Sequence, residues 1–158
     1  MAIEVVRGDA TAPSGEAPRI IVHICNDIGG WGAGFVLALS RRWKQPEAAY
    51  RAWYATKDPP FALGEVQLVE VEPGLYVANM IGQEGIRARD GVPPIRYDAV
   101  ERCLGKVAEM AAERGASVHM PRIGCGLAGG EWSEIEARIE RTLVAASIPT
   151  TVYDWSPD

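Results

Sequence analysis

The sequence is poor in the residues that build covalent or metal frameworks. Its three cysteines, Cys25, Cys103 and Cys125, are an odd number with no C-x-x-C pair and no close spacing. That excludes a disulfide scaffold or a zinc knuckle, so no metal is expected and a reducing, cytoplasmic setting is the simpler one. Long apolar runs are absent too, and no window reaches the length that spans a bilayer. Met1-Ala2-Ile3-Glu4 carries an acid where a secretion signal needs basic residues, so no membrane partner is expected. Positive charge is in deficit, with 16 basic residues against 21 acidic ones and a net charge of −5, which argues against nucleic-acid binding. An anionic small ligand is still admitted, because backbone N–H groups bind phosphate without any lysine.

What is present is an ordinary globular mixture. The 158 residues are 47% hydrophobic and 23% charged, enough for one core and too few for two comfortable domains. A single domain over residues 1–158, acting as a monomer, is expected. Short β-branched runs at Ile3 to Val6, Ile20 to Cys25, Glu65 to Val71, Leu75 to Ile81, Val118 to Pro121 and Thr150 to Tyr153 read as strands, several of them apolar throughout. Between them, Phe35, Leu39 and Trp43 repeat at helical spacing, and Pro46 opens a helix through Tyr50 and Trp53. Tyr97, Val100, Leu104, Val107 and Ala111 form a longer stripe, entered from Pro93-Pro94 and closed by Gly115. Ser133-Glu134-Ile135-Glu136 reads as a capping box opening a last helix that buries Ile135, Ile139 and Leu143. This alternation predicts a three-layer α/β domain on a mostly parallel sheet, with one hairpin turned at Glu72-Pro73-Gly74. Ligands of such sheets bind at the carboxyl ends of the strands, here the loops after Cys25, Ile81 and Pro121.

Glycine clusters occupy two of those three places: Gly29, Gly30, Gly32 and Gly34 in the first, and Gly124, Gly126, Gly129 and Gly130 in the third. Tight turns alone would account for one cluster, but two at equivalent sheet positions favour a backbone cradle for a phosphate or diphosphate. No lysine follows either cluster as in a P-loop, and the first lacks the G-x-G-x-x-G spacing of a dinucleotide site. His23 and His119 sit inside apolar runs and read as buried core histidines. Cys125, between two glycines, reads as a small residue fitted beneath a ligand and not as a nucleophile. Trp31, Trp43, Trp53 and Trp132 are packing candidates, while Trp155, beyond the last strand, could stack on a base. Arg41-Arg42 and the pair Arg87 and Arg89, the latter in the long Glu84 to Pro94 loop, read as solvated.

Gly8-Asp9 after the first strand, His23-Ile24-Cys25-Asn26 running into Gly32-Ala33-Gly34, Met120-Pro121-Arg122-Ile123-Gly124-Cys125-Gly126-Leu127 and a closing Thr151-Val152-Tyr153 together resemble a macrodomain. Within that family the resemblance is to the class similar to terminal ADP-ribose protein glycohydrolase. It implies a three-layer α/β/α fold with a six-stranded mixed sheet, and a cleft for ADP-ribose or an ADP-ribosylated protein, with no cofactor. Asp9, with Ala10 beside it, would accept from the adenine amino group, and Trp155 would line the adenine. Cys25 and the loop from Asn26 through Gly32, Ala33 and Gly34 would hold the distal ribose and part of the diphosphate. Ile123, Gly124, Cys125, Gly126 and Leu127 would cradle the diphosphate with backbone N–H groups.

The glycohydrolase places a lysine after the fourth strand and an aspartate after the Gly-Cys-Gly-Leu run. This sequence has Gln83 and Ala128 there. Glutamine cannot form a Schiff base. The expected activity is therefore hydrolysis of ADP-ribosyl esters by a positioned water, with Asn26 and Gln83 as the candidate catalytic residues. A non-catalytic ADP-ribose reader and a phosphatase of ADP-ribose phosphate are the alternatives.

Overall fold

Along Arg19–Asn26 the apolar side chains divide between two opposite faces, as a strand with period two requires when both faces are covered. In a computed structural model, which describes residues 2–155, Ile20 and Val22 join one hydrophobic cluster and Ile21 and Cys25 join the other. This strand, β2, lies inside a six-stranded sheet with β1 (Glu4–Arg7), β3 (Val66–Glu72), β4 (Leu75–Gln83), β5 (Ser117–Met120) and β6 (Thr150–Asp154), in the order β1-β6-β5-β2-β4-β3. Every pairing is parallel except β3 with β4, the expected hairpin, so the sheet is mixed. Gly74 turns that hairpin at φ 75°, a left-handed conformation that glycine adopts without strain.

Helices α1 (Phe35–Arg42) and α2 (Gln45–Thr56) cover one face, where Leu39, Tyr50 and Trp53 are buried against Val77 and Ile81. Helices α3 (Tyr97–Arg114) and α4 (Trp132–Ile139) cover the other. The Val100, Leu104, Val107, Ala111 stripe of α3 is fully buried, and Gly115 ends that helix at φ 62° with its N–H on the carbonyls of Ala111 and Ala112. A fully buried leucine such as Leu104 carries about 2–5 kcal/mol against truncation to alanine. No helix among the described residues is long and apolar enough to cross a membrane.

The start of α4 differs from the capping-box reading. Glu131, extended at φ −101°, precedes the first helical residue, Trp132, and no side chain caps the helix. Tertiary contacts fix the entry instead: the Tyr97 hydroxyl accepts the Glu131 N–H at 3.0 Å, and the Arg122 guanidinium lies 4.9 Å from the Trp132 ring. After Ile139 the helix widens into a π-helical turn, Glu140–Val144, which still buries Leu143.

Candidate functional site

At the carboxyl ends of the parallel strands, three cavities adjoin in a row. The first, about 500 Å³, is lined by Asp9, Ala10, Thr11, Phe35, Arg41, Arg42, Tyr153 and Trp155 among others. The second, about 270 Å³, shares Phe35 and Pro121 with it and is lined by His23, Gly34, Gln83, Ile123, Gly124, Gly126 and Leu127. The third, about 230 Å³, shares Ile24, Ala33, Val36, Gln83 and Leu127 with the second and adds Cys25, Asn26 and Gly32. The shared walls make this one cleft across the sheet end. Every residue nominated from the sequence lines it except Cys125, whose thiol donates to the Ile123 carbonyl at 3.5 Å.

The end near β1 is built from side chains. Asp9 Oδ1 accepts from the Thr11 N–H at 2.8 Å and from the Thr11 hydroxyl at 2.7 Å, an Asx-type turn that fixes the carboxylate just past the strand. Arg42 donates from Nε to Thr11 Oγ1 at 2.7 Å and approaches Asp9 Oδ2 at 3.5 Å. Burial alone would raise the Asp9 pKa, but the Thr11 hydrogen bonds and the Arg42 charge outweigh it and hold the carboxyl below its usual range. Arg41 and Arg42 are both exposed, as the solvated reading expects, but both also line the cavity and Arg42 clamps its acid. The Asp-x-Thr spacing signals the turn in the sequence. Nothing local signals Arg42, which packing of α1 delivers from 31 residues beyond Thr11.

Behind this cavity, Tyr153 is held by the interior. Its hydroxyl lies 2.7 Å from His119 Nδ1 and accepts the Ser14 N–H at 3.0 Å, while His119 Nε2 lies 2.7 Å from Ser117 Oγ. Burial, with the Arg19 charge, pushes the His119 pKa down to about 4, so the ring is neutral at pH 7. Trp155 borders the cavity with 68% of its surface exposed.

The centre of the cleft is built from backbone. Arg122 borders it, but that guanidinium is engaged by both oxygens of Asp154, at 2.6 and 3.0 Å. The N–H groups of Gly124, Cys125, Gly126 and Leu127 donate to no acceptor among the described residues. Facing them, α1 begins after Gly34 with no side-chain cap, leaving its first N–H groups open. Glycine is required at Gly124, at φ 76° with three isoleucine side chains packed around it, and at Gly130, where a Cβ would stand 2.5 Å from the Gly124 carbonyl oxygen. At Gly126 a Cβ would meet nothing within 4 Å, so a side chain there would enter the cleft.

At the far end, a register shift brings the two catalytic candidates together. β2 and β4 pair Cys25 with Ile81 and then Asn26 with Gln83, so Gly82 is an extra residue. A Cβ on Gly82 would stand 3.0 Å from side-chain carbons of Ile24 and Val100, a tight fit that favours glycine here. The Asn26 carboxamide oxygen is saturated by its own loop and by Tyr50 of α2, and one N–H of its nitrogen is paired. Its oxygen accepts from the N–H groups of Ile28 and Gly30 at 3.0 Å and from the Tyr50 hydroxyl at 2.9 Å, and its nitrogen donates to the Gly30 carbonyl at 2.9 Å. That oxygen has no capacity left to orient a water. Gln83 donates from Nε2 to the Gly85 carbonyl at 3.0 Å, and its carboxamide oxygen has no partner among the described residues. The Asp27 carboxylate, which the sequence reading passed over, accepts the Gly85 N–H at 2.8 Å and ties the two loops together.

His23, under the middle cavity, and Cys25, in the wall of the third, lack the state needed for nucleophilic chemistry. His23 Nε2 bonds Asn79 Oδ1 at 2.5 Å; burial, opposed by that bond, lowers its pKa to about 4. The Cys25 thiol lies 3.8 Å from His23 Nε2, and burial raises its pKa well above the ordinary thiol value. His23 is floor, as its core reading anticipates.

Comparison with known proteins places this architecture. The solved structure of a macrodomain protein from Streptomyces coelicolor is 57% identical, covers 96% of this chain and 98% of its own, and superposes with a TM-score of 0.86. The chain is a macrodomain. Thermosipho africanus DarTG in complex with ADP-ribose shares the macrodomain fold at 18% identity and a TM-score of 0.78, over 99% of this chain and 42% of that one. A Chromodomain-helicase-DNA-binding protein 1-like from Danio rerio is 34% identical over 96% of this chain, which spans only 15% of that protein's length. An ADP-ribose 1''-phosphate phosphatase of Meyerozyma guilliermondii is 26% identical over 92% of this macrodomain and 97% of the phosphatase. No family model matches the sequence.

Proposed function

We propose that this macrodomain binds ADP-ribose along the three cavities and releases it from ester-linked conjugates, such as modified acidic side chains, without a covalent lysine intermediate. The observation that carries this is the contrast along the cleft: a fixed carboxylate in the first cavity, unpartnered backbone N–H groups in the second and a neutral glutamine at the third. Adenine's amino group would donate to Asp9, with Trp155 at its side. The diphosphate would lie between the Ile123 to Leu127 loop and the start of α1. The distal ribose would reach the boundary where Gly32, Ala33 and Gln83 meet. Relatives named for ADP-ribose chemistry support the ligand class.

Ester cleavage asks little of the protein, because a carboxylate is a good leaving group. Water adds, one ester C–O bond breaks, and a carboxylic acid and an ADP-ribose hydroxyl form. The chain's lysines, Lys44, Lys57 and Lys106, line none of the three cavities. The free oxygen of Gln83 can accept a hydrogen bond from the attacking water, and the ligand's own diphosphate can take its proton. Asn26 then acts by holding the loop. Incubation with glutamate-ADP-ribosylated protein and, separately, with ADP-ribose 1''-phosphate tests the reading. Release of ADP-ribose from the first, with no adduct after borohydride treatment, is expected. Tight binding with release from neither substrate would make the domain a reader.

A further inference from the structure

We propose that the first cavity takes an adenosine ribose carrying a phosphate monoester on one of its hydroxyls, held by Arg41, so that the cleft prefers phosphorylated ADP-ribose to the plain form. The inference rests on the ADP-ribose reading of the cleft and specifies the ligand at its adenosine end.

Two observations carry it. The first is the charge of this cavity, whose walls hold Asp9, Arg41 and Arg42. Arg42 is engaged, donating to Thr11 and approaching the Asp9 carboxylate, so that base and that acid offset each other. Arg41 takes part in no hydrogen bond or ion pair among the described residues. Arg7, Arg87 and Arg89 share that state, but none of them lines any of the three cavities. An unpaired cation in a concave and mostly apolar wall favours an anionic group opposite it. The diphosphate is not that group. The open N–H groups that would receive it, from Gly124 to Leu127 and at the start of α1, border the second cavity, which Arg41 does not line. The anion that answers Arg41 is therefore an additional one.

The second observation is where α1 puts this arginine. Phe35, Ala38, Arg41 and Arg42 line the first cavity at helical spacing, and Phe35, at the start of the helix, is shared with the second. Arg41 stands about 9 Å beyond Phe35 along the axis. A long side chain on a helix covers the turn N-terminal to its own Cα, here the turn of Ala38, whose methyl group leaves room. That level lies between the anion cradle and Asp9. The ribose of an adenosine bound at both must pass there, because it joins the base to the phosphates. In dinucleotide sites an arginine beside this ribose accommodates a 2'-phosphate, whereas a carboxylate there takes a free hydroxyl. In this cavity the one acid is already held at the strand end by Thr11. Its volume of about 500 Å³, against about 270 Å³ for the second, leaves space for the added group.

The test is calorimetric titration of the full chain with ADP-ribose and with ADP-ribose phosphorylated on the adenosine 2'- or 3'-hydroxyl. One of the two phosphorylated forms is expected to bind about three- to tenfold more tightly than ADP-ribose at low salt. The gain is modest because the guanidinium is exposed, and it should shrink as salt is raised. Arg41→Gln should bring the ratio of the two affinities to one, Arg41→Lys should keep part of it, and Arg41→Glu should invert it. A merely structural arginine would not move that ratio. Equal or weaker binding of both phosphorylated forms overturns the proposal, as does a gain that survives in Arg41→Gln. An ADP-ribose dimer joined through the adenosine ribose that shows the same Arg41-dependent gain assigns the residue to a polymer and overturns it too. Failure of unmodified ADP-ribose itself to bind is a different result, since it overturns the reading of the whole cleft.

Discussion

The two ends of the cleft are built by opposite means. At the β1 end a charged side chain is aimed by other side chains: Thr11 fixes Asp9, Arg42 fixes Thr11, and Tyr153 is held by a buried histidine. At the far end the backbone is shaped and then neutralised, with Asn26 absorbing the loop's own N–H groups and apolar side chains finishing the wall. Between them lies a stretch whose N–H groups are left open. Polar groups are therefore left open toward the cleft at its centre and satisfied internally at the far end. A single substitution should act differently at each place.

The largest effect is expected at the centre. Gly126→Glu places a carboxylate in the cavity that the diphosphate would occupy, and the repulsion should reduce ADP-ribose affinity on the order of a hundredfold or more. The melting temperature should stay within a degree or two of wild type, because a Cβ there meets nothing within 4 Å. Calorimetry and a thermal melt check both halves, and a variant that binds normally would show that anion recognition does not reside in this loop.

Next in size is Asn26→Ala. If Asn26 only oriented a water, turnover would drop and affinity would hold. The structure predicts another pattern. The variant strips the acceptor from the Ile28 and Gly30 N–H groups, while the Tyr50 hydroxyl keeps the Asn26 backbone carbonyl at 2.6 Å, so it should lose about 1–3 kcal/mol of stability, with affinity and turnover falling together. Denaturant melts alongside Kd and kcat separate these cases, and Gln83→Ala, which disturbs fewer contacts, should show the rate-only pattern.

These contrasts also mark what could be read from the sequence. All six strands and the four helices are visible in its periodicities, the strand ends displaced by at most two residues and the ends of α2 and α4 by three or four, because strand and helix faces are written into every second or fourth side chain. The glycine clusters announce the backbone-built centre, since glycine is a local requirement of turn geometry. The partners of Asp9 and Asn26 are not visible. Arg42 and Tyr50 reach them through helix packing across 33 and 24 residues of chain, and no local pattern encodes such distances. The capping box at Ser133 misleads for the same reason: Tyr97 and Arg122, remote in sequence, set where α4 begins.

A smaller effect is expected at the side-chain-built end. Asp9→Ala should weaken ADP-ribose binding by roughly 1–3 kcal/mol, the range for a hydrogen bond to a charged group. Arg42→Met should weaken it less at pH 7, because the Thr11 hydroxyl and N–H still hold the carboxylate. Without the guanidinium, however, the Asp9 pKa moves back up, so the variant's affinity should begin to fall at a higher pH than that of wild type as acid is added. Identical pH profiles for the two proteins would mean that Arg42 shapes the wall without tuning the charge.

The gentlest perturbation is pH itself, which reaches the first and middle cavities from below. His119 backs the Tyr153 wall and His23 lies under the middle cavity; each is buried neutral with a pKa near 4, against 6.5 for an exposed ring. Between those values the unfolded chain binds more protons than the folded one, so stability rises with pH across the window and falls as pH is lowered from 6.5 toward 4. Asp9 acts in the same direction lower down, since its depressed pKa stabilises the fold above the ordinary carboxyl range and that contribution disappears as acid titrates it. A melting temperature followed from pH 7 to pH 4 should therefore decline steadily, with a slope corresponding to an uptake approaching two protons. His119→Gln should remove about half of that slope. The same variant should disturb adenosine-end binding, measured with AMP, more than it disturbs the effect of Gln83→Ala on turnover at the far end, because Tyr153 lines only the first cavity. Equal disturbance of both would show that the two ends share one support and are not built independently.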